Sequence, residues 1–107
     1  MLVALLWRCV TIDKHDIYVE SLTRSLSGYD TIRSHVNIIG KRGRPVGEID
    51  VLAIKHNGSC DLFEVKCSHR ITKARQQLTK LRKLVSRERP VRNTFFYCGE
   101  SGELISV

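Results

Sequence analysis

Paired cysteines are missing from this chain. Its four cysteines stand at positions 9, 60, 67 and 98, with no CxxC pair and no zinc-ligand spacing, which excludes a dithiol redox motif and a structural zinc centre built on them. Three of them fall in predicted strands and read as buried free thiols in a reducing compartment, with a Cys60–Cys98 disulfide as the alternative in a hyperthermophile. His56 beside Cys60, and Cys67 beside His69, are explained by a hairpin rather than by zinc. Long apolar runs are missing too. Met1 to Val10, MLVALLWRCV, is broken by Arg8 and falls well short of the roughly 20 residues a membrane span needs. It also lacks the basic start and small-residue cleavage site of a signal peptide. These absences point to an intracellular, cytoplasmic protein with no membrane partner, in which the opening segment packs as a first strand or helical turn or makes a dimer contact.

Repeats, low-complexity tracts and Pro- or Ser-rich linkers are absent as well, so the 107 residues form one domain. A chain of this size holds a core but no separate binding module, and any grip on a partner must come from the same domain.

Acids are nearly missing from one long segment. From Lys66 to Arg92 the only carboxylate is Glu88, set among ten lysines and arginines. Ile71, Ala74, Leu78, Leu81 and Val85 recur there at helical spacing, which predicts an amphipathic helix with one basic face able to lie along a phosphate backbone. Arg70, Lys73 and Lys80 are its candidate phosphate contacts. A second basic segment, Gly40-Lys41-Arg42-Gly43-Arg44-Pro45, adds Lys41, Arg42 and Arg44 on a flexible loop. The net charge of +7 and the pI near 9.6 agree with a polyanionic partner.

Against that basic background, the stretch Gly47–Lys66, GEIDVLAIKHNGSCDLFEVK, carries the chemistry. Side chains two apart on a strand share a face, so Glu64 and Lys66 emerge together while Val65 turns away. His56-Asn57-Gly58 suits a three-residue hairpin loop with glycine in the left-handed final position, which pairs Leu52 with Leu62 and sets Asp50 opposite Glu64. A two-residue turn would instead face Asp50 away from Glu64, so the function depends on register. In the favoured register Ile49, Val51 and Ala53 share the other face with Phe63 and Val65. Both faces are apolar and both need cover. Charged groups inside such a hairpin are costly unless something binds between them. Mg²⁺ or Mn²⁺ suits the position, with Asp50, Glu64 and the Val65 carbonyl as ligands and Lys66 as electrostatic partner, an arrangement fit for phosphodiester hydrolysis. The competing reading is a set of salt bridges, Asp50 and Glu64 with Lys55 and Lys66, at a solvated sheet edge.

Over roughly residues 14–98 the order of elements resembles the PD-(D/E)XK nuclease superfamily. The resemblance runs through an amphipathic helix ending at Gly28-Tyr29, a strand, GEIDVLAI, LFEVK, a basic helix containing Gln76-Gln77-Leu78, and the strand Phe95-Phe96-Tyr97-Cys98. Within the superfamily the chain is most similar to the small Holliday junction resolvases of archaea and their viruses, and to Mrr-like restriction endonuclease catalytic domains. The resemblance implies Asp50, Glu64 and Lys66 as the motif residues and an acid from the first helix. On a helical wheel His15, Val19, Leu22, Leu26 and Tyr29 form the apolar stripe, Asp16 borders it and Glu20 lies toward solvent, so Asp16 ranks before Glu20. Asp16 would stand where the superfamily usually has Glu. Gln77 is an accessory candidate, since relatives often carry Gln or Lys there near the metal.

The expected fold is α/β, a restriction-endonuclease-like mixed sheet flanked by helices with an αβββαβ core. Helices are predicted over 14–28 and 71–86, and strands over 31–39, 48–54, 60–67, 93–98 and 104–107. The first three strands form an antiparallel meander, the last are added by crossover, and the helices cover both faces. The expected function is a Mg²⁺- or Mn²⁺-dependent DNA endonuclease, with a junction-cleaving homodimer favoured. A repair or restriction-type nuclease, a DNA-binding protein without catalysis, and an RNA-directed enzyme remain as alternatives.

Overall fold

A computed structural model gives the fold over residues 13–107. The roles expected of Met1–Val10, and Cys9 with them, lie outside the described residues. Helix α1 spans Lys14–Ser25 and begins at Asp13, whose carboxylate accepts the His15 backbone N–H at 3.3 Å and caps an otherwise orphaned donor. Val19 and Leu22 are buried, and Leu26 and Tyr29 pack against the same cluster. The expected end at residue 28 is corrected to Ser25, because Leu26 takes extended backbone with ψ 140°. Gly28, at φ +83°, then turns the chain toward the sheet in a conformation that costs glycine little.

Five strands lie side by side in sequence order. They are β1 (Thr31–Ile39), β2 (Pro45–Ile54), β3 (Cys60–Lys66), β4 (Val91–Cys98) and β5 (Glu103–Ser106). The first three form the expected antiparallel meander. Helix α2 (Ile71–Val85) carries the chain across to β4, which runs parallel to β3. β5 arrives by a tight turn rather than a crossover, with the Gly102 N–H bonded to the Cys98 carbonyl at 2.8 Å. Among the described residues the class is therefore α/β, a mixed five-stranded sheet with one α-helix on each face. No described helix is long and apolar enough to cross a membrane.

Each helix closes its own core. On one side Val19 and Leu22 of α1 meet Val51, Ala53, Phe63 and Val65. On the other, Leu78 and Leu81 of α2 meet Ile49, Leu52, Cys60 and Leu62. The Cys60–Cys98 alternative is excluded by topology. Cys60 opens β3 opposite Val91 while Cys98 closes β4 opposite Lys66, which puts them roughly 20 Å apart at about 3.3 Å per residue, beyond disulfide reach. Both are free and buried.

The hairpin between β2 and β3 has the expected loop. Ile54 pairs with Cys60 and Leu52 with Leu62, Lys55 N–H bonds to the Ser59 carbonyl, and Gly58 N–H closes the turn onto the Lys55 carbonyl. Gly58 sits at φ +90°, the left-handed position that the third loop residue requires.

One expectation about β2 fails. Ile49 does not share a face with Val51 and Ala53; it joins the α2 core while they join the α1 core. The same inversion occurs on β1, where Ile32 packs on the α1 side but Val36 and Ile38 on the α2 side. Strict alternation forbids this unless the ribbon turns over. It does so at His35, a left-handed residue at φ +52°. The β1–β2 ladder passes from Ser34–Val51 to Val36–Ile49 without pairing His35 and Asp50. Asp50 thus stands at the turning-over point.

Candidate functional site

The β2–β3 ladder ends at Val51–Phe63, one step before the expected Asp50–Glu64 pair. Where the strands part, the Asp50 carboxylate replaces the ladder, its Oδ2 accepting the Val65 N–H at 2.8 Å. The two carboxylates are nonetheless brought together and buried, Asp50 at 5 % and Glu64 at 4 % exposure. Lys66 sits beside them, its Nζ 3.3 Å from Glu64 Oε2. The solvated-edge reading fails on this burial. Burial first, and then the negative charge of Asp50, push the Glu64 carboxyl from its ordinary 4.5 up to about 7, against the opposing pull of Lys66 and His15.

A third buried acid, Asp61, gives the contrast. It accepts the Tyr29 hydroxyl and the Asn93 N–H, and Tyr29 is pushed up to about 12 by its burial and by that partner. Asp61 is an acid with its bonds made inside a structural network. Glu64 has only the ammonium two residues along its own strand.

His15 is the site residue that sequence reasoning missed. Placed on the apolar stripe, it instead sets its Nε2 3.0 Å from the Val65 carbonyl oxygen and 3.3 Å from Asp50 Oδ2. It is the only ring-nitrogen donor in that stripe and lies at the stripe's N-terminal end, the one mark the sequence bears of its role. Its other ring nitrogen lies 3.9 Å from Asp16 Oδ1. Asp16 is half exposed and also 3.5 Å from His35 Nε2, while His35 Nδ1 is 3.7 Å from Glu48 Oε1. Asp16 is therefore linked to Asp50 through the His15 ring. Glu20 is engaged elsewhere, in an exposed i,i+4 pair with Arg24.

The predicted cations and Gln77 are all exposed, and their placement differs. Ile71 and Ala74 pack on Phe96 and Cys98, the strand partners of Glu64 and Lys66, so the first turn of α2, with Arg70 and Lys73, lies level with the carboxylates. Gln77 follows one turn later and Lys80 roughly 10 Å beyond Lys73, at about 1.5 Å per residue. Lys41, Arg42 and Arg44 sit on the β1–β2 loop, closed by Gly40 N–H on the Arg44 carbonyl at 2.7 Å. Arg44 is roughly 20 Å along β2 from Asp50. The two basic segments, separate in sequence, meet in space. Lys41 and Arg44 from the loop, and Arg87 and Arg89 from beyond α2, rim one groove of ≈ 860 Å³ floored by Val36, Ile38 and Leu84. Ile49, the neighbour of Asp50, also lines it.

Among the described residues no group of three or more His, Cys, Asp or Glu side chains is already gathered around one metal-sized point. The donors that do meet are two side chains and a backbone carbonyl: Asp50, His15 and Val65. No family model matches this chain, and no curated protein matches it.

Proposed function

We propose that this chain is a divalent-metal-dependent DNA endonuclease with a restriction-endonuclease-like fold, of the PD-(D/E)XK kind its sequence resembles. The observation that carries this reading is the buried pair Asp50 and Glu64, held where β2 and β3 part, with Lys66 3.3 Å from Glu64. Two buried carboxylates against one ammonium leave an excess of negative charge, which structural acids avoid and a hard dication offsets. Oxygen donors of this type suit Mg²⁺ or Mn²⁺, and Asp50, Glu64 and the Val65 carbonyl would hold the ion. When bound, it would polarise the phosphodiester and acidify water near neutral pH.

The chain's own groups supply the rest. The Val65 N–H fixes the Asp50 carboxylate in advance, so no side-chain freedom is lost when it engages. Lys66, 20 % exposed at its side chain, offers an ammonium that orients the attacking water or stabilises charge developing on the phosphate. Arg70 and Lys73 lie level with these groups and would hold the strand being cut. Lys41, Arg42, Arg44 and Lys80 would grip phosphates further out, with Gln77 as an accessory contact.

The substrate favoured is a four-way junction. A two-fold homodimer presenting two sites would match a junction of near two-fold symmetry. A second reading, a DNA-binding protein without catalysis, draws on the position of Asp16, which meets Asp50 only through His15.

The test is cleavage of matched four-way junction, linear duplex, single-stranded DNA and RNA duplex with Mg²⁺ or Mn²⁺, comparing wild type with Asp50→Asn and Glu64→Gln. Paired symmetric nicks in the junction, abolished by either substitution, are expected. Metal-dependent cutting without junction preference would retain the nuclease and reject the resolvase. Tight binding with no cleavage under either metal would reject catalysis.

A further inference from the structure

We infer that His15 Nε2 is a ligand of the catalytic ion, and that the site in consequence prefers Mn²⁺ and related transition-metal ions to Mg²⁺. The inference rests on the metal-dependent reading above. The geometry behind it is the convergence of three donors: Nε2 is 3.0 Å from the Val65 carbonyl oxygen and 3.3 Å from Asp50 Oδ2. Neighbouring ligands of an octahedral ion with bonds of about 2.1 Å stand about 3.0 Å apart along each edge, so these two spacings match two edges of a coordination shell meeting at Nε2. The competing account is a single N–H shared between two acceptors.

The far side of the ring favours ligation. The Nδ1 nitrogen faces Asp16 Oδ1 at 3.9 Å, and Asp16 in turn approaches His35. A carboxylate bonded to the free ring N–H of a ligating imidazole fixes its orientation and raises its basicity, and Asp16 stands one small side-chain movement from making that bond. Asp16 then serves as the positioning residue behind His15, which explains why an acid at the expected helix position does not reach Asp50 directly. The Val65 N–H bond to Asp50 holds the second donor still. Glu64 is turned onto Lys66 and is the remaining carboxylate available to the ion.

An imidazole among the ligands changes which ion is favoured. Mg²⁺ demands oxygen and keeps several waters, whereas nitrogen donors suit the later first-row ions, with affinity rising from Mn²⁺ through Co²⁺.

The test uses MnCl₂ and MgCl₂ alone with the whole chain, without DNA. Pulsed EPR of bound Mn²⁺ should show nitrogen modulation from a directly coordinated imidazole, lost in His15→Ala and His15→Gln and kept in His35→Ala. Calorimetry should show Mn²⁺ bound more tightly than Mg²⁺, with His15→Ala weakening Mn²⁺ by at least about tenfold, the lower end of the loss seen when even an outer partner is removed. The wild-type spectrum is decisive even if a variant misfolds. Mn²⁺ binding that depends on Asp50, tested with Asp50→Asn, but shows no nitrogen modulation would overturn His15 as ligand and leave the nuclease intact. No Mn²⁺ binding, or binding indifferent to Asp50→Asn, would overturn both.

Discussion

Glu64 is the residue on which the site's energetics turn. Its carboxyl is raised from 4.5 to about 7 by burial and by Asp50, so the folded chain holds that proton more tightly than the unfolded chain does. The resulting stabilisation is fully present below about pH 4.5 and is lost as pH rises through about 7, with a total on the order of 3 kcal/mol. Subtracting a Glu64→Gln series from wild type isolates the contribution of Glu64 and its interaction with Asp50, because glutamine cannot ionise and carboxylates remote from the site cancel. In urea denaturation without metal, wild type should lose stability relative to Glu64→Gln between pH 5 and 8. A flat difference would show that Glu64 is already compensated in the fold. Adding Mn²⁺ should restore wild-type stability most at the upper end of that range, since only the ionised carboxylate gains from the cation.

At the scale of elements, local chemistry was readable where one residue type decides one conformation. Gly58 in the left-handed position fixed the β2–β3 loop and with it the Leu52–Leu62 register, and the spacing of Ala74, Leu78 and Leu81 fixed the buried face of α2. The turning-over of the β1–β2 ribbon was not readable, because it depends on His35 at φ +52°, and a histidine in that region leaves no mark in a hydrophobic pattern. His15 was hidden for a related reason: helical periodicity says which way a side chain points, not whether it meets a core or a polar cluster. The His35 account makes its own prediction. A β-branched residue is strained in the left-handed region by about 1–2 kcal/mol whereas glycine is not. Thermal unfolding should therefore rank His35→Gly close to wild type and His35→Val clearly below it. Val tolerated as well as Gly would mean that the ribbon does not need this conformation.

Over the whole molecule, the basic residues divide by distance from the carboxylates, and that division assigns them different work. Arg70 and Lys73 stand level with Glu64 and Lys66 through the packing of Ala74 on Phe96 and Cys98, whereas Lys41, Arg42 and Arg44 stand at the far end of the β1–β2 ribbon. At 3.4 Å per base-pair step, the roughly 20 Å between Asp50 and Arg44 corresponds to about six base pairs. The loop would thus touch phosphates about half a helical turn from the scissile bond and contribute affinity without touching the reacting group. Replacing Lys41, Arg42 and Arg44 together with alanine should weaken DNA binding and flatten the salt dependence of log K by roughly 2–3, near 0.9 for each phosphate no longer neutralised. The cleavage rate at saturating DNA should change little. Replacing Arg70 and Lys73 should lower that rate as well as affinity, because on the proposed function these cations would lie beside the phosphate being cut. If the loop variant lost cleavage rate while keeping its salt slope, the loop would belong to the active site and the reach inferred along β2 would be wrong.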